Sequence, residues 1–552
     1  MGNRRRTRLM ARLAPPRLLA VCVCALGCCA LAALAQPVPP PTPPAPSGKP
    51  PTRPTRELSI EEAIAERTRL EKDWLAAFEA SDYSRAEALL RELVPLDHDN
   101  FVPWYNLACV LSLQGKLDEA MRMLQQAIAR GYSDRRTLET DPHLANLRGT
   151  EGYADLLAGW DRVLAARASR RLDRLKQRYA IGVAGSPYVL SEDKPLNLVY
   201  VSAFDPKLFE ESRAEITRLA AWWERYVSPP TPTTPSKLPA DGTPVVVLLP
   251  TRSDFLDWAV QRYGAGAERV GGAYLHDEKQ LIAMDLGATL RHEFWHVLHW
   301  RDMDRLGQRH PFWVMEGLCS LVEDVEVGRG GVVEGGPGEG DAMIAKPSWR
   351  TNIVRRLAKA GNLTPWDTLF GLDQKRFMTV RPLAMYAQSR AVFMFIHEHG
   401  RLRDWYAAYT ANFAEDPSGM AALATAFGKP ARQVEREFRA WARQIPEVAE
   451  VVGEGAANLP VEVGPGSGDG PEVLDNRLAD FLAGRAGASR QSGDGGLRPK
   501  DVITAINGKP VRDLNDLARV LGEFEAGESV TVGYRRGKTH AETTVRLVPP
   551  LR

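Results

Sequence analysis

The 552-residue chain reads as a multidomain α+β protein, and three observations carry that reading. Residues 57–167 repeat apolar positions at helical spacing and carry no strand signal. Residues 190–446 alternate short β-branched runs with helical stretches and then become wholly helical, which predicts an α/β lobe followed by a helical lobe. Residues 458–548 set alternating apolar positions around tight-turn residues, which predicts a small β domain. Length alone asks for several domains, since one usually runs about 100–200 residues. Charged residues at 25% and apolar ones at 44% are ordinary for globular protein, and the formal charge is +2. Arg4, Arg5, Arg6 and Arg8 more than account for that excess, so the bulk charge gives no footprint for nucleic acid.

Residues 1–35 read as an export signal. The arginine cluster is its basic region, Leu18 to Ala35 its apolar run, and Ala33-Leu34-Ala35 before Gln36 fits the small-x-small cleavage rule. The alternative is an uncleaved anchor, because the apolar run approaches the length that spans a bilayer. Arg5-Arg6 hints at a twin-arginine signal, and Leu26-Gly27-Cys28 at the end of a lipoprotein signal. The expected location is exported: periplasm, cell envelope or secreted, with membrane contact only through an uncleaved or lipidated leader. Four of the six cysteines fall in this leader. The other two, Cys109 and Cys319, sit in predicted amphipathic helices, so they read as buried thiols and not as a disulfide framework.

Residues 36–56 are proline-rich and form an extended spacer with no core of its own. In residues 57–167, Trp104, Leu107, Ala108, Leu111, Ala120, Leu124 and Ala127 are spaced as in a helix-turn-helix repeat. Trp74, Phe78, Ala86, Leu90 and Leu93 form a weaker earlier copy. The spacing resembles the tetratricopeptide repeat. That implies either a groove for protein partners or a helical brace for the neighbouring domain.

The chemistry concentrates at Arg291-His292-Glu293-Phe294-Trp295-His296, which reads HExxH. On a helix, residues i and i+4 share a face. His292 and His296 can therefore offer both imidazoles to one metal ion at about 2.0–2.1 Å. Glu293, one step round, lies beside the ion's open position, where it can act as general base on a water. Thr289 is the candidate N-cap, Leu281 to Met284 the strand upstream, and Pro311 to Glu323 a second helix carrying Glu316. Further strands are expected at Leu196–Val201 and Pro244–Leu249, and helices at Lys207–Val227 and from Ser253 onward. Gly328–Gly340 is glycine-rich, either a lid or an insertion without a role.

HExxH followed by a helix reading Trp-x-x-Glu-Gly-Leu resembles the gluzincin zinc peptidases, closest to peptidase MA-like families. The resemblance covers Leu196 to Gln444. It implies a two-lobed catalytic domain, Zn2+ as cofactor, Glu316 as third ligand, and a peptide or protein substrate. The metzincin pattern fails, since His299 and Asp302 stand where its Gly and third His belong. His299 then has a role at the surface or behind the ligands, with a place as a ligand the lesser alternative. Related gluzincins also donate to the oxyanion from a Tyr on the helical lobe. Tyr386, read as the start of a helix, takes that position; the alternative is a core or surface tyrosine.

Residues 458–548 resemble a PDZ domain through Gly496 to Ile503 and Ile506-Asn507-Gly508-Lys509-Pro510-Val511. Asn507-Gly508 is the tight turn, Leu514–Leu521 the groove helix, and Val530–Tyr534 with Thr543–Leu547 the closing strands. Lys500 departs from the usual Gly before Asp, and Val463 to Gly495 lacks a clear carboxylate-binding loop. Together these features imply an exported zinc peptidase, favouring internal cleavage, whose flanking modules recruit protein substrates. The competing class is a non-catalytic envelope scaffold with a zinc-stabilised core, for which Glu293 would have no use.

Overall fold

A computed structural model of the chain describes residues 60–98, 100–228, 244–263, 270–276, 278–327, 343–466, 468–475 and 496–549. The leader, the proline spacer and the Gly328–Gly340 stretch lie outside these residues. The described chain divides into two compact units, residues up to 163 with 258–268, and residues 164–257 with 269–552.

The first unit is helical. Ile60–Glu79 packs with Tyr83–Leu96, and Phe101–Leu113 with Leu117–Ala129. Local chemistry starts two of these helices: Asp82 accepts from the Arg85 amide, and Asn100 from the Val102 amide. Ala108 and Ala120 are fully buried, as a close helix contact requires. Trp104 is only partly covered, and the Arg130 guanidinium lies 3.9 Å from its ring centre.

The second unit contains a five-stranded sheet. β1 (Val189–Asp193) pairs antiparallel with β2 (Leu198–Ser202), which runs parallel to β3 (Val245–Leu249). The edge strand β4 (Gly272–Leu275) pairs antiparallel with β5 (Gln280–Ala283), itself parallel to β3, giving the order β1-β2-β3-β5-β4. Every residue of β2, β3 and β5 is buried, which is why these segments read as continuous apolar runs without alternation. Sequence signals located the inner strands but missed β1 and β4, whose short, mixed sequences carry no apolar run.

The helix Ala288–Leu306 follows β5, and Phe312–Leu321 follows that. The second of these was expected to run to Glu323; it stops two residues earlier, and Glu323 lies in the turn beyond. Two short strands, β6 (Val325–Val327) and β7 (Met343–Ala345), pair antiparallel. Helices Trp349–Lys359, Pro382–Glu398, Leu402–Ala411, Met420–Phe427 and Ala431–Ala442, with the short helices Trp366–Leu369 and Gln374–Thr379 between the first two, make up the helical part. One continuous core joins sheet and helices, from Tyr200 through Trp295 and Trp313 to Phe438. Gly317 makes the central contact possible, because a Cβ there would meet the Phe393 ring at 2.7 Å and the Ser389 carbonyl at 2.9 Å.

The C-terminal sheet has strands β8 (Glu462–Gly464), β9 (Glu472–Asp475), β10 (Val502–Ile506), β11 (Lys509–Pro510), β12 (Ser529–Arg536) and β13 (Thr539–Arg546). Their order is β13-β12-β10-β9-β8, with β11 on β10. Leu514–Leu521 is the helix, with the bounds expected of it. Asn507 and Gly508 both have positive φ, 48° and 74°, as a two-residue hairpin turn needs. Lys500 also stands at φ 72°, where the usual glycine would be unstrained.

Candidate metal centre

The HExxH helix starts at Ala288, so Thr289 is not its cap. Thr289 lies inside the first turn, where its amide and hydroxyl both donate to Asp285. Gly307 closes the helix in the left-handed conformation (φ 68°).

One helical turn brings His292 and His296 onto a common face, and the next helix brings Glu316 opposite them. Ligand atoms of these three residues all lie within 4.8 Å of one another, and no other such group occurs among the described residues. The two Nε2 atoms are 3.1 Å apart, and the Glu316 oxygens lie 3.5 Å from His292 and 3.6 Å from His296. A tetrahedral ion with bonds of about 2.0–2.1 Å needs donors roughly 3.3 Å apart. Two imidazoles and one carboxylate at these separations are a donor set that could hold a metal ion such as zinc.

Glu323 holds this arrangement and was not singled out from sequence. Its Oε1 lies 2.9 Å from His292 Nδ1, and Arg350 donates to both of its oxygens at 2.5 and 2.9 Å. A proton on Nδ1 leaves Nε2 free to ligate. The only sequence signal was a second glutamate two helical turns after Glu316. Burial works against the Glu323 charge, but Arg350 and His292 outweigh it and bring its pKa down to about 2. Burial opposes the His292 charge too, yet Glu316 and Glu323 push its pKa up to about 10. Glu316 is likewise held well below the ordinary carboxylate range, as the two imidazoles overcome its burial.

Glu293 is buried beside this cluster. Burial raises its pKa against the opposing pull of His292 and His296, and the Tyr274 backbone amide of β4 donates to it. Gly272 lets β4 come this near, since a Cβ there would meet Thr289 Cγ2 at 2.6 Å and Glu293 Cγ at 3.0 Å. A carboxylate with a raised pKa, fixed by a backbone donor, suits proton transfer.

Tyr386 lies in the second turn of Pro382–Glu398, not at its start. Its ring packs on Phe377 and beneath Arg350, and its hydroxyl lies 3.4 Å from Met378 Sδ. Burial, with Glu316 next in weight, pushes its pKa far up, so the phenol stays protonated. His299 is neither ligand nor surface residue. It is fully buried against Trp223 and Tyr406, with Nε2 2.7 Å from His310 Nδ1. Cys109 and Cys319 are buried thiols outside any disulfide.

No curated protein sequence matches this chain. Among solved structures, the aminopeptidase N family protein from Idiomarina loihiensis aligns at 11% identity, over 66% of this chain and 67% of that one. Its TM-score of 0.19 is too low to bear on the fold. The family model described as PDZ domain matches residues 490–547. Strands β10 to β13 and the helix Leu514–Leu521 thus belong to a PDZ domain.

Proposed function

We propose that this protein is a zinc-dependent peptidase of gluzincin type that hydrolyses internal peptide bonds of protein substrates outside the cytoplasm. The observation that carries this reading is the convergence of His292, His296 and Glu316 with Glu293 buried alongside. A structural zinc would have no use for that fourth residue. A zinc ion held by the three ligands would supply Lewis acidity toward a water and a substrate carbonyl. The Glu293 carboxylate takes the proton from the attacking water and returns it to the leaving amine. Glu323 keeps the His292 ring in the ligating tautomer. Tyr386, protonated, donates to the oxyanion once its hydroxyl swings from Met378. The PDZ domain and the tetratricopeptide-like helices bind protein segments and raise their local concentration.

The test is cleavage profiling with a proteome-derived peptide library, alongside zinc analysis. Wild type cleaves, and Glu293→Gln keeps its zinc but loses nearly all turnover. Tyr386→Phe lowers turnover about 10²–10³-fold with little change in KM, the cost of one donor made mainly in the transition state. Wild-type turnover in Glu293→Gln would discard the mechanism.

A further inference from the structure

The HExxH helix has no side-chain cap of its own at the N-cap position, Gly287. Asp285 serves the Gly287 and Thr289 amides. The Ala288 amide instead donates to Asp513 Oδ2, at 3.0 Å, from the PDZ domain. The other oxygen of the same carboxylate accepts from the Asp516 amide at 2.7 Å and caps the PDZ helix. One side chain therefore closes the N-termini of two helices that belong to different domains.

A second connection runs beside the first. Asp516 Oδ1 of the PDZ helix and Glu215 Oε1 lie 3.9 and 3.4 Å from the guanidinium of Arg291, the residue preceding His292. Arg291 in turn donates to the Val322 and Glu323 carbonyls at 3.0 and 2.5 Å. The Glu323 side chain holds His292. Arg512 of the PDZ domain donates to Ser212 at 2.7 Å and lies 3.3 Å from Glu215, fastening the same corner. Arg291, Glu215, Arg512 and Asp516 are all buried, as a permanent contact requires and a tethered module would not supply.

Two glycines make room for this contact. A Cβ on Gly287 would stand 2.5 Å from Asp513 Oδ2. A Cβ on Gly468, which has φ +113°, would stand 2.4 Å from the Met284 carbonyl at the end of β5. Close backbone approach at both places marks a fitted interface.

We propose that the PDZ domain is a built-in support of the metal helix, with Asp513 as a positioning residue for the metal site. The domain then does more than recruit: anything that shifts the PDZ helix also shifts the first turn of the helix carrying His292. The inference rests on the metal reading above only for its zinc readout, and amide exchange tests it independently.

The experiment uses the full chain with Asp513→Ser. Serine still caps the PDZ helix, but its shorter side chain withdraws the acceptor from Ala288. The PDZ domain should keep its fold by near- and far-ultraviolet dichroism. Zinc affinity should fall about tenfold, the usual scale for groups that support ligands. In the metal-free protein, amides 288–291 should exchange about tenfold faster than in wild type. Gly287→Ala, which wedges the same contact from the other side, should do likewise and decides the matter if Asp513→Ser misfolds. Zinc affinity within twofold together with unchanged exchange at 288–291 in a folded variant would overturn the proposal. Should wild type bind no zinc through His292 and Glu316, the peptidase reading falls, and the exchange data still judge the interface.

Discussion

Glu316 and His299 compete on paper for the place of third ligand, and their surroundings separate them. Glu316 faces both imidazoles at 3.5 and 3.6 Å, whereas His299 turns to His310 in the core. Glu316→Ala should therefore lower zinc affinity strongly, by at least about 100-fold, while His299→Ala leaves it within a few-fold in protein that remains folded. Zinc titration showing the reverse order would reassign the ligand. His292, His296 and Glu293 were legible from sequence because an i, i+4 pair needs only a helix to meet. Glu323 was not, because its contact with His292 depends on where the next helix ends.

Glycine and lysine at two special positions give predictions about elements. Gly317 sits inside Phe312–Leu321, where alanine would ordinarily stabilise a helix by about 1 kcal/mol. Here the added methyl would enter Phe393 and the Ser389 carbonyl at under 3 Å. Gly317→Ala should destabilise by about 1–3 kcal/mol in denaturant unfolding; a stabilised variant would show that the two helices are not so close. At Lys500 the sign reverses. A non-glycine residue at φ 72° carries roughly 1–2 kcal/mol of strain. Lys500→Gly should thus raise the PDZ domain's stability by up to about 1 kcal/mol after the entropic cost of glycine, read as a higher unfolding midpoint. Both sites carried some sequence signal, since Gly317 lay in the matched helix motif and Lys500 broke the expected glycine.

At the scale of the whole molecule, two buried histidines, His299 and His310, and two partly buried ones, His276 and His397, are held toward the neutral form. Burial, helped by Arg309, brings the His310 pKa down to about 3, and burial likewise depresses His299, His276 and His397. A depressed folded-state value means that unfolding takes up a proton. The stability these groups contribute is complete above about pH 6.5 and is lost as the pH falls from there toward the folded value. Each such imidazole adds a slope of about 1.4 kcal/mol per pH unit in that window. His310→Asn should remove one of them. Metal-free denaturant unfolding between pH 7 and pH 4 should show a shallower decline for the variant, and parallel curves would contradict the assignment.

Local information in the sequence determined the elements whose pattern closes on itself. These are the paired histidines on one helical face, the Asn507-Gly508 hairpin, the PDZ helix, and the apolar runs of β2, β3 and β5. Tertiary structure alone decided what joins them. Asp513 reaches the Ala288 amide across 225 residues of chain, and Arg291 meets the Val322 carbonyl across 31. Neither contact leaves a periodicity to read, because a side chain's partner is set by the path of the intervening backbone and not by its neighbours in sequence. The same reasoning applies to Gly287 and Gly468. Each looks like an ordinary loop glycine in the sequence, and only the packed domains show that a single methyl group would force them apart.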